Sequence, residues 1–252
     1  MKHSHNSAKL NVDELAMATT WGGVAASTTP FQPVFPWIVF DMDGTLVDTF
    51  QLNLRSFSHA VNRTLTAEEA LDIPSGTLEE QLTNYLSSGT VSGAVERFHD
   101  HYKRHFDSAS RVFPGVRALL FTMRARGIKL AVCTGASKEI AEYTLTQSGL
   151  SQYFPTIVTG DDVNKPKPDP EGLRIAMERI GANSDQTIYV GDHPDDIAAS
   201  RNAGARTAAA NWGSLHGTEL YDLKPDFLFK HPFEVLSLSE FYIAEWFFFN
   251  HG

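Results

Sequence analysis

Two aspartates, Asp41 and Asp43, directly follow an apolar run that ends at Phe40, and Asp48 lies close behind them. Neighbouring carboxylates repel one another, so a protein that gathers them must offset their negative charge. Carboxylate oxygens and water suit Mg²⁺, an ion that commonly holds a phosphate through its remaining positions. The pair therefore predicts phosphoryl chemistry, in which Asp41 attacks phosphorus while Asp43 protonates the leaving alcohol and then activates water.

Further polar residues follow three later apolar runs. Thr134 follows the first of these runs, Lys165 lies in the segment GDDVNKPKPDP after the second, and Asp192 and Asp196 lie in GDHPDD after the third. Each signal is weak alone, because Asp-Gly marks turns, an aspartate after a strand often caps the next helix, and KPKPDP is typical of an extended proline-rich loop. Ligands of open parallel sheets bind beyond the carboxyl ends of the strands, so we expect all of these residues at one rim.

The elements that must position these residues alternate between short apolar runs and helical patterns. The apolar runs lie at residues 35–40, 128–134, 156–160, 187–191 and 205–210. Fully apolar strands separated by helices indicate a parallel sheet that is covered on both faces. The intervening helical patterns end at glycines, which favour the left-handed conformation at a helix C-terminus. We therefore predict a doubly wound α/β fold.

Residues 50–113 interrupt this alternation, since they contain several helical patterns and no convincing strand. Thr66 and Thr77 each stand three positions before a glutamate, which fits two helix capping boxes. We predict that this segment is a small α-helical cap domain inserted after the first strand. Such a domain could form a lid over the ends of the strands. Residues 31–49 and 114–240 would then form the α/β core.

Composition and the two ends of the chain narrow the possible partners. The formal net charge of -9 argues against a nucleic-acid-binding surface, and no apolar run is long enough to cross a membrane.

Residues 1–30 lack clear periodicity and are expected to be a poorly ordered extension, without the apolar region of a secretory signal. Residues 241–252 form a short aromatic tail, which suits docking or a subunit contact. The single cysteine, Cys133, lies in an apolar run and is expected to be a core thiol. We expect a cytoplasmic protein.

Four stretches, DMDGTLVDT, VCTG, KPKPDP and GDHPDDIAASRNAG, occur in this order between about residues 35 and 230. In these stretches the chain resembles the haloacid dehalogenase-like superfamily, in its phosphatase branch with a helical cap. The resemblance implies a Rossmann-like core and a mechanism that depends on Mg²⁺ and passes through an aspartyl-phosphate. Phosphoglycolate phosphatases are the most similar named branch. Gly135 departs from the asparagine found in many phosphatase relatives, which weakens any choice of substrate.

By this resemblance, Asp41 is the nucleophile and Asp43 the general acid and base, while Thr134 binds phosphate through its hydroxyl. Lys165 would stabilise the phosphate and the nucleophile, because the family places its lysine first in a Lys-Pro-x-Pro stretch. The alternative is Lys167, two positions further on. The resemblance also implies three metal ligands and one possible supporting acid. The ligands are the Asp41 carboxylate, the Asp43 backbone carbonyl and the Asp192 carboxylate, and the supporting acid is Asp196.

We expect an enzyme that hydrolyses a small phosphorylated metabolite as a monomer or homodimer. Within the family, a β-phosphoglucomutase-like or pyrophosphatase-like activity is the alternative. A receiver-like phospho-acceptor switch is a different class, and the helical insertion together with Asp43 argues against it. The clustered histidines at 99, 101 and 105 could indicate a metal site, but they have no evident further ligand. Basic residues near the cap could contact an anionic substrate or simply face solvent. They are Arg97, Lys103, Arg104 and Arg111.

Overall fold

The computed structural model describes residues 35–73 and 76–239. The predictions for the N-terminal extension and for the aromatic tail therefore lie outside the described residues. No helix in the described ranges has the length and apolar character that a membrane span requires.

The core is one six-stranded sheet in which every neighbouring pair of strands runs parallel. Its spatial order is β5-β4-β1-β6-β7-β8, so the first strand lies in the middle and the chain adds strands on both sides of it. This order confirms the predicted doubly wound fold. The strands are β1 (Trp37–Phe40), β4 (Lys129–Cys133), β5 (Thr156–Val158), β6 (Thr187–Gly191), β7 (Arg206–Ala210) and β8 (Phe227–Phe229).

Helices cover both faces of the sheet because successive side chains of each strand point to opposite sides. In β1, Ile38 and Phe40 belong to the hydrophobic cluster that includes helices α5 and α6. Val39 belongs to the cluster on the other face, which includes helix α7. The core helices are α5 (Val116–Ala125), α6 (Lys138–Gln147), α7 (Glu171–Ile180), α8 (Pro194–Ala203) and α9 (Gly217–Asp222).

Four helices occupy most of the segment that was predicted as an insertion, and we call them the cap. They are α1 (Phe50–Ala60), α2 (Ala67–Leu71), α3 (Leu78–Thr83) and α4 (Val91–Ala109). Both predicted capping boxes form, because the Thr66 and Thr77 side chains accept the backbone N–H of Glu69 and Glu80, and each glutamate accepts the threonine N–H in return.

The cap connects to the core through a short antiparallel pair of strands. Strand β2 (Val47–Asp48) precedes the cap and pairs with β3 (Arg111–Val112), which follows it. Arg111 also donates a hydrogen bond to the Asp48 carboxylate across this pair. The expectation of no strand in residues 50–113 was therefore wrong at its end, since a two-residue strand is too short to give a recognisable periodicity.

The cap has its own hydrophobic cluster, which reaches helix α6 of the core. Phe98, Tyr102 and Phe106 repeat every four residues and form the buried face of α4, and Ile140 of α6 joins the same cluster. The Tyr102 hydroxyl lies 2.9 Å from Thr144 Oγ1, and both residues are fully buried. This hydrogen bond joins the cap to the core in a place that water does not reach.

We expect Tyr102→Phe to lower the free energy of unfolding by about 1–2 kcal/mol, because the buried Thr144 hydroxyl loses its partner. Urea denaturation measures this cost. The double variant Tyr102→Phe/Thr144→Val is the control, since removing both polar partners is less costly than leaving one unsatisfied. Thr144→Val alone gives the second single cost. If the double variant lost as much stability as the two single variants together, the coupling free energy of the hydrogen bond would be zero.

Candidate active site

The site lies at the carboxyl ends of the strands, next to β1. After β1 the chain first adds strands on one side of the sheet and then, from β6 onward, on the other side. Asp41 directly follows β1, Thr134 follows β4 and Asp192 follows β6, and these three strands are neighbours. The Asp41 N–H donates to the Val190 carbonyl at 2.8 Å, so the sheet fixes the backbone of the first aspartate. The topology thus brings these three predicted side chains to one edge.

The structure corrects the prediction for the lysine. Lys167 donates to Asp41 Oδ1 at 2.7 Å and to Asp196 Oδ1 at 2.6 Å, and its side chain is 19% exposed. Lys165 has a side chain that is 73% exposed, and its Nζ lies 4.0 Å from Asp169 Oδ2. Side chains two positions apart in an extended proline-rich loop point in different directions, so only one of the two lysines reaches the sheet.

Asp196, which the resemblance implies only as a possible supporting acid, is a fully buried residue that contacts the lysine directly. It is 1% exposed and accepts hydrogen bonds from Lys167 and from the His193 backbone N–H. The Tyr189 hydroxyl lies 3.0 Å from Asp196 Oδ1 and 2.9 Å from the Cys133 carbonyl oxygen. Sequence reasoning did not identify Tyr189, which lies within β6 and looks like an ordinary core aromatic residue.

Asp192 is held by a tight approach of the first loop. The Thr45 hydroxyl donates to Asp192 Oδ1 at 2.8 Å. Gly44 has a φ of 79°, and a Cβ at this position would lie 2.2 Å from Asp192 Oδ2. Only glycine accepts this conformation and this contact without displacing the carboxylate. The second residue of the Asp-Gly pair therefore permits the close packing of two carboxylate-bearing loops.

Asp43 and Thr134 line the same site, and their side chains make fewer hydrogen bonds than that of Asp196. The Thr49 hydroxyl donates to Asp43 Oδ1, and burial raises the pKa of Asp43 above its ordinary value. Thr134 Oγ1 accepts the Ala136 N–H at 3.1 Å. Among the described residues that is its side-chain hydrogen bond, so its own hydroxyl proton is available to a ligand. Both residues can thus present a proton or an oxygen toward the cavity.

Burial and mutual repulsion set the charges of the carboxylates. Burial raises the pKa of Asp41 to about 7, although the Lys167 ammonium opposes the shift. Burial, followed by repulsion from Asp41 and Asp196, raises the pKa of Asp192 well above its usual value. Burial would also raise the pKa of Asp196, but Lys167 outweighs burial and holds it below its usual value. One ammonium group therefore compensates three carboxylates only in part.

A divalent cation would complete this compensation. One oxygen each from Asp41, Asp192 and Asp196 lie within 4.8 Å of one another, and no other such group of ligands occurs in the described residues. An all-carboxylate donor set fits a hard cation such as Mg²⁺. The clustered histidines of the cap do not form such a group. Instead, the ring centroids of His101 and His105 lie 4.4 Å apart, and His101 Nδ1 lies 3.0 Å from Ser56 Oγ.

A cavity of about 370 Å³ opens between this edge and the cap. Its floor carries the carboxylates and Lys167, and its other walls come from α1, α2, α3, α4 and the start of α6. The volume falls within the roughly 300–1,000 Å³ of ordinary small-molecule sites. The arrangement can therefore hold a small anionic group on the floor and an attached organic group under the cap.

A family model agrees with this fold and this site. The model of haloacid dehalogenase-like hydrolases matches residues 38–210, which include all of the residues described above at the edge of the sheet. The chain belongs to this family. It is accordingly a hydrolase of a family whose curated relatives include pyrophosphatases, and the receiver-like alternative is set aside.

Two curated relatives of the family are similar to most of the chain. Both are named pyrophosphatase PpaX, one from Oceanobacillus iheyensis and one from Halalkalibacterium halodurans, and each is 30% identical to this chain. The alignments span 204 and 205 residues, which is 80% of this chain and 95% of each relative.

Solved structures support the fold. A predicted phosphoglycolate phosphatase from Haemophilus somnus superposes with a TM-score of 0.72 at 23% identity, covering 81% of this chain and 98% of its own. CbbY from Rhodobacter sphaeroides, in complex with phosphate, gives a TM-score of 0.72 at 21% identity, covering 82% of this chain and 100% of its own.

The other candidate residues lie outside the hydrolase site. Cys133 is buried, and burial raises the pKa of its thiol to about 12, as expected for a core residue. Arg97 donates to the Ala60 carbonyl, Lys103 pairs with Glu139, and Arg111 with Asp48. None of the basic cap residues named from the sequence lines the cavity.

We expect Lys167→Met to lower kcat/KM for a phosphate ester by about 100-fold or more, because it removes the ammonium group that contacts Asp41 and Asp196. Lys165→Met is the matched control and should leave activity essentially unchanged. Circular dichroism and thermal unfolding of both variants separate lost chemistry from lost fold. The reverse result, with activity lost only in Lys165→Met, would contradict the assignment drawn from the geometry.

Proposed function

We propose that this hydrolase is a Mg²⁺-dependent phosphatase that cleaves a small phosphate monoester through a phospho-aspartyl intermediate on Asp41. One observation carries the proposal: Asp41, Lys167, Asp196 and Asp192 meet at the switch point of the sheet, beneath a cavity that the cap closes. Phosphoryl transfer needs positioning and charge neutralisation more than it needs elaborate covalent chemistry, and this arrangement supplies both.

In the first half-reaction, an Asp41 carboxylate oxygen attacks phosphorus, and the bond from phosphorus to the ester oxygen breaks. Asp43 donates its proton to that leaving oxygen, so the alcohol departs neutral. Lys167 holds Asp41 Oδ1 at 2.7 Å and directs the nucleophile, while the Thr134 hydroxyl can donate to a phosphate oxygen. The cap covers part of the cavity and would limit the access of bulk water during this step.

In the second half-reaction, water attacks the phosphorus of the aspartyl-phosphate, and Asp43, now ionised, accepts the proton of that water. The bond between phosphorus and the Asp41 oxygen breaks, which returns Asp41 as a carboxylate and releases inorganic phosphate. Thr49 donates to Asp43, and this hydrogen bond orients the group for both of its tasks. Over one cycle, Asp43 therefore loses and regains one proton, and Asp41 gains and loses one phosphoryl group.

Mg²⁺ would be held by Asp41 and Asp192, with Asp196 nearby as a further carboxylate. The Asp43 backbone carbonyl remains a predicted ligand. When bound, the ion would offset the negative charge of the phosphate and of the carboxylates. The raised pKa of Asp192 supports this assignment, because a buried carboxylate without enough compensating charge favours a cation.

Pyrophosphate hydrolysis is the second candidate, because two relatives at 30% identity are named pyrophosphatases. Phosphoglycolate, the substrate class of the predicted branch, is another small phosphate ester that the same chemistry would cleave. A mutase-like reaction would return phosphate to an isomer of the substrate and release none. Net phosphate release therefore separates both hydrolytic candidates from the mutase. A monomeric or homodimeric state in the cytoplasm remains a prediction.

We expect Asp41→Asn to abolish phosphate release while leaving the fold intact, because the amide removes the nucleophile and almost no volume. Rapid acid quench during turnover of the wild type, followed by peptide mass spectrometry, should find a phosphoryl group on the peptide that contains Asp41. Asp185→Asn is the matched control and should behave as wild type, because Asp185 is exposed and lies before the amino-terminal end of β6, whereas the site lies at the carboxyl end. Near-normal turnover by Asp41→Asn would remove the basis of the mechanism.

We also expect thorough chelation to stop phosphate release and added Mg²⁺ to restore it. Independently of activity, Mg²⁺ should raise the melting temperature of the wild type, since an ion that binds only the folded state stabilises it. Asp192→Asn should need a much higher Mg²⁺ concentration for the same rise, because it removes one ligand. An unchanged melting response in Asp192→Asn would refute its assignment as a ligand.

A further inference from the structure

We infer that the organic group of the substrate is uncharged and largely apolar, so the preferred substrates are phosphate monoesters of apolar alcohols or phenols. This inference rests on the proposed function and adds the class of the leaving group. It differs from the activity that the names of the curated relatives give and from the phosphoglycolate of the predicted branch, because pyrophosphate and phosphoglycolate both have charged leaving groups.

The cavity has two chemically different ends. The floor carries five carboxylates and one ammonium group, where the phosphate would bind. The cap end is apolar: Phe57 and Phe98 belong to the buried cluster of the cap, and Leu54 packs against that cluster while it lines the cavity. The remaining large apolar residues that line this end are Phe50, Ile73, Leu78 and Ile140.

No cation faces the apolar end within the described residues. Lys167 is the one lysine or arginine among the described residues that line the cavity, and it already pairs with Asp41 and Asp196. The two cap residues that the structure does not describe are a proline and a serine, at positions 74 and 75, so neither supplies a positive charge. A second phosphate or a carboxylate would therefore be buried there without a partner, which is strongly unfavourable.

The polar groups near this end are neutral. Asn53 donates its side-chain amide to Thr49 Oγ1, and Gln81 and Ser137 are uncharged hydrogen-bonding residues of the same lining. His193 also lines the cavity, but it directly follows Asp192 at the floor, where its Nδ1 accepts the Asp195 N–H at 3.2 Å. These groups can accommodate a hydroxyl or an amide, and they cannot neutralise an anion.

A series of three aryl phosphates tests the inference on the full-length protein with Mg²⁺. Phenyl phosphate, 4-carbamoylphenyl phosphate and 4-carboxyphenyl phosphate share one ring, and the last two differ mainly in charge. We expect kcat/KM for the carbamoyl ester to exceed that for the carboxylate ester by about tenfold or more, mostly through KM, because the carboxylate is buried unpaired. Pyrophosphate should be a poorer substrate than phenyl phosphate.

Leu54→Lys should lower the carbamoyl-to-carboxylate ratio, because it puts an ammonium group at the apolar end. Leu71→Lys is the matched control: this leucine is 41% exposed, lies on the cap helix α2 and does not line the cavity, so the ratio should stay at the wild-type value. If Leu54→Lys fails to fold, the wild-type ratio still decides, because it needs no variant.

The outcomes separate the two proposals. Phosphate release with equal or better use of the carboxylate ester or of pyrophosphate would overturn the inference about the leaving group and leave the phosphatase proposal standing. No phosphate release from any ester or from pyrophosphate, at any Mg²⁺ concentration, would overturn both. A tenfold preference for the neutral ester that Leu54→Lys reduces and Leu71→Lys does not would support both.

Discussion

The ammonium group of Lys167, held between Asp41 and Asp196, is the interaction on which the site depends. It lies 2.7 Å from one carboxylate and 2.6 Å from the other, at an edge that the sheet and helix α8 make largely inaccessible to water. Without it, two buried carboxylates would face each other and at least one would take up a proton. With it, the Asp41 carboxylate is oriented and the rise in its pKa is limited, and the remaining negative charge is the kind that a divalent cation offsets.

The core and the cap divide the recognition of a ligand between them. The core supplies charge at the ends of β1, β4 and β6, and it would act on any phosphate that reached it. In the described residues, the cap supplies apolar surface to the cavity and no lysine or arginine, so under the proposed function it would act on whatever the phosphate carries. A fold alone does not fix the substrate. Under the proposed function, the side chains of α1, α3 and α4 that face the cavity would set the selectivity, and the floor would carry out the chemistry.

Much of this organisation could be predicted from sequence because it follows from short-range rules. Asp41, Thr134 and Asp192 follow strands directly, so predicting the strands also predicted their common edge. The choice between Lys165 and Lys167 could not be made this way, since each begins a Lys-Pro-x-Pro stretch and the direction of a side chain in a loop depends on tertiary contacts. The spacing of Phe50 and Leu54 fits one apolar face of a helix, but such a sequence pattern is the same whether the face meets a core or a cavity. Strand β8 was not predicted, and the two-residue strands β2 and β3 were too short to recognise.

The β2–β3 pair has a consequence for how such a protein can change. Because the chain leaves the core at Asp48 and returns at Arg111, and these two residues are paired neighbours, the entry and exit points of the whole helical segment lie side by side. A segment whose two ends already meet can be replaced by another of different length without altering the spacing of the strands beneath it. The paired ends fix where the module attaches, so new ligand preferences can arise by exchange of that module while the strands beneath it stay in register.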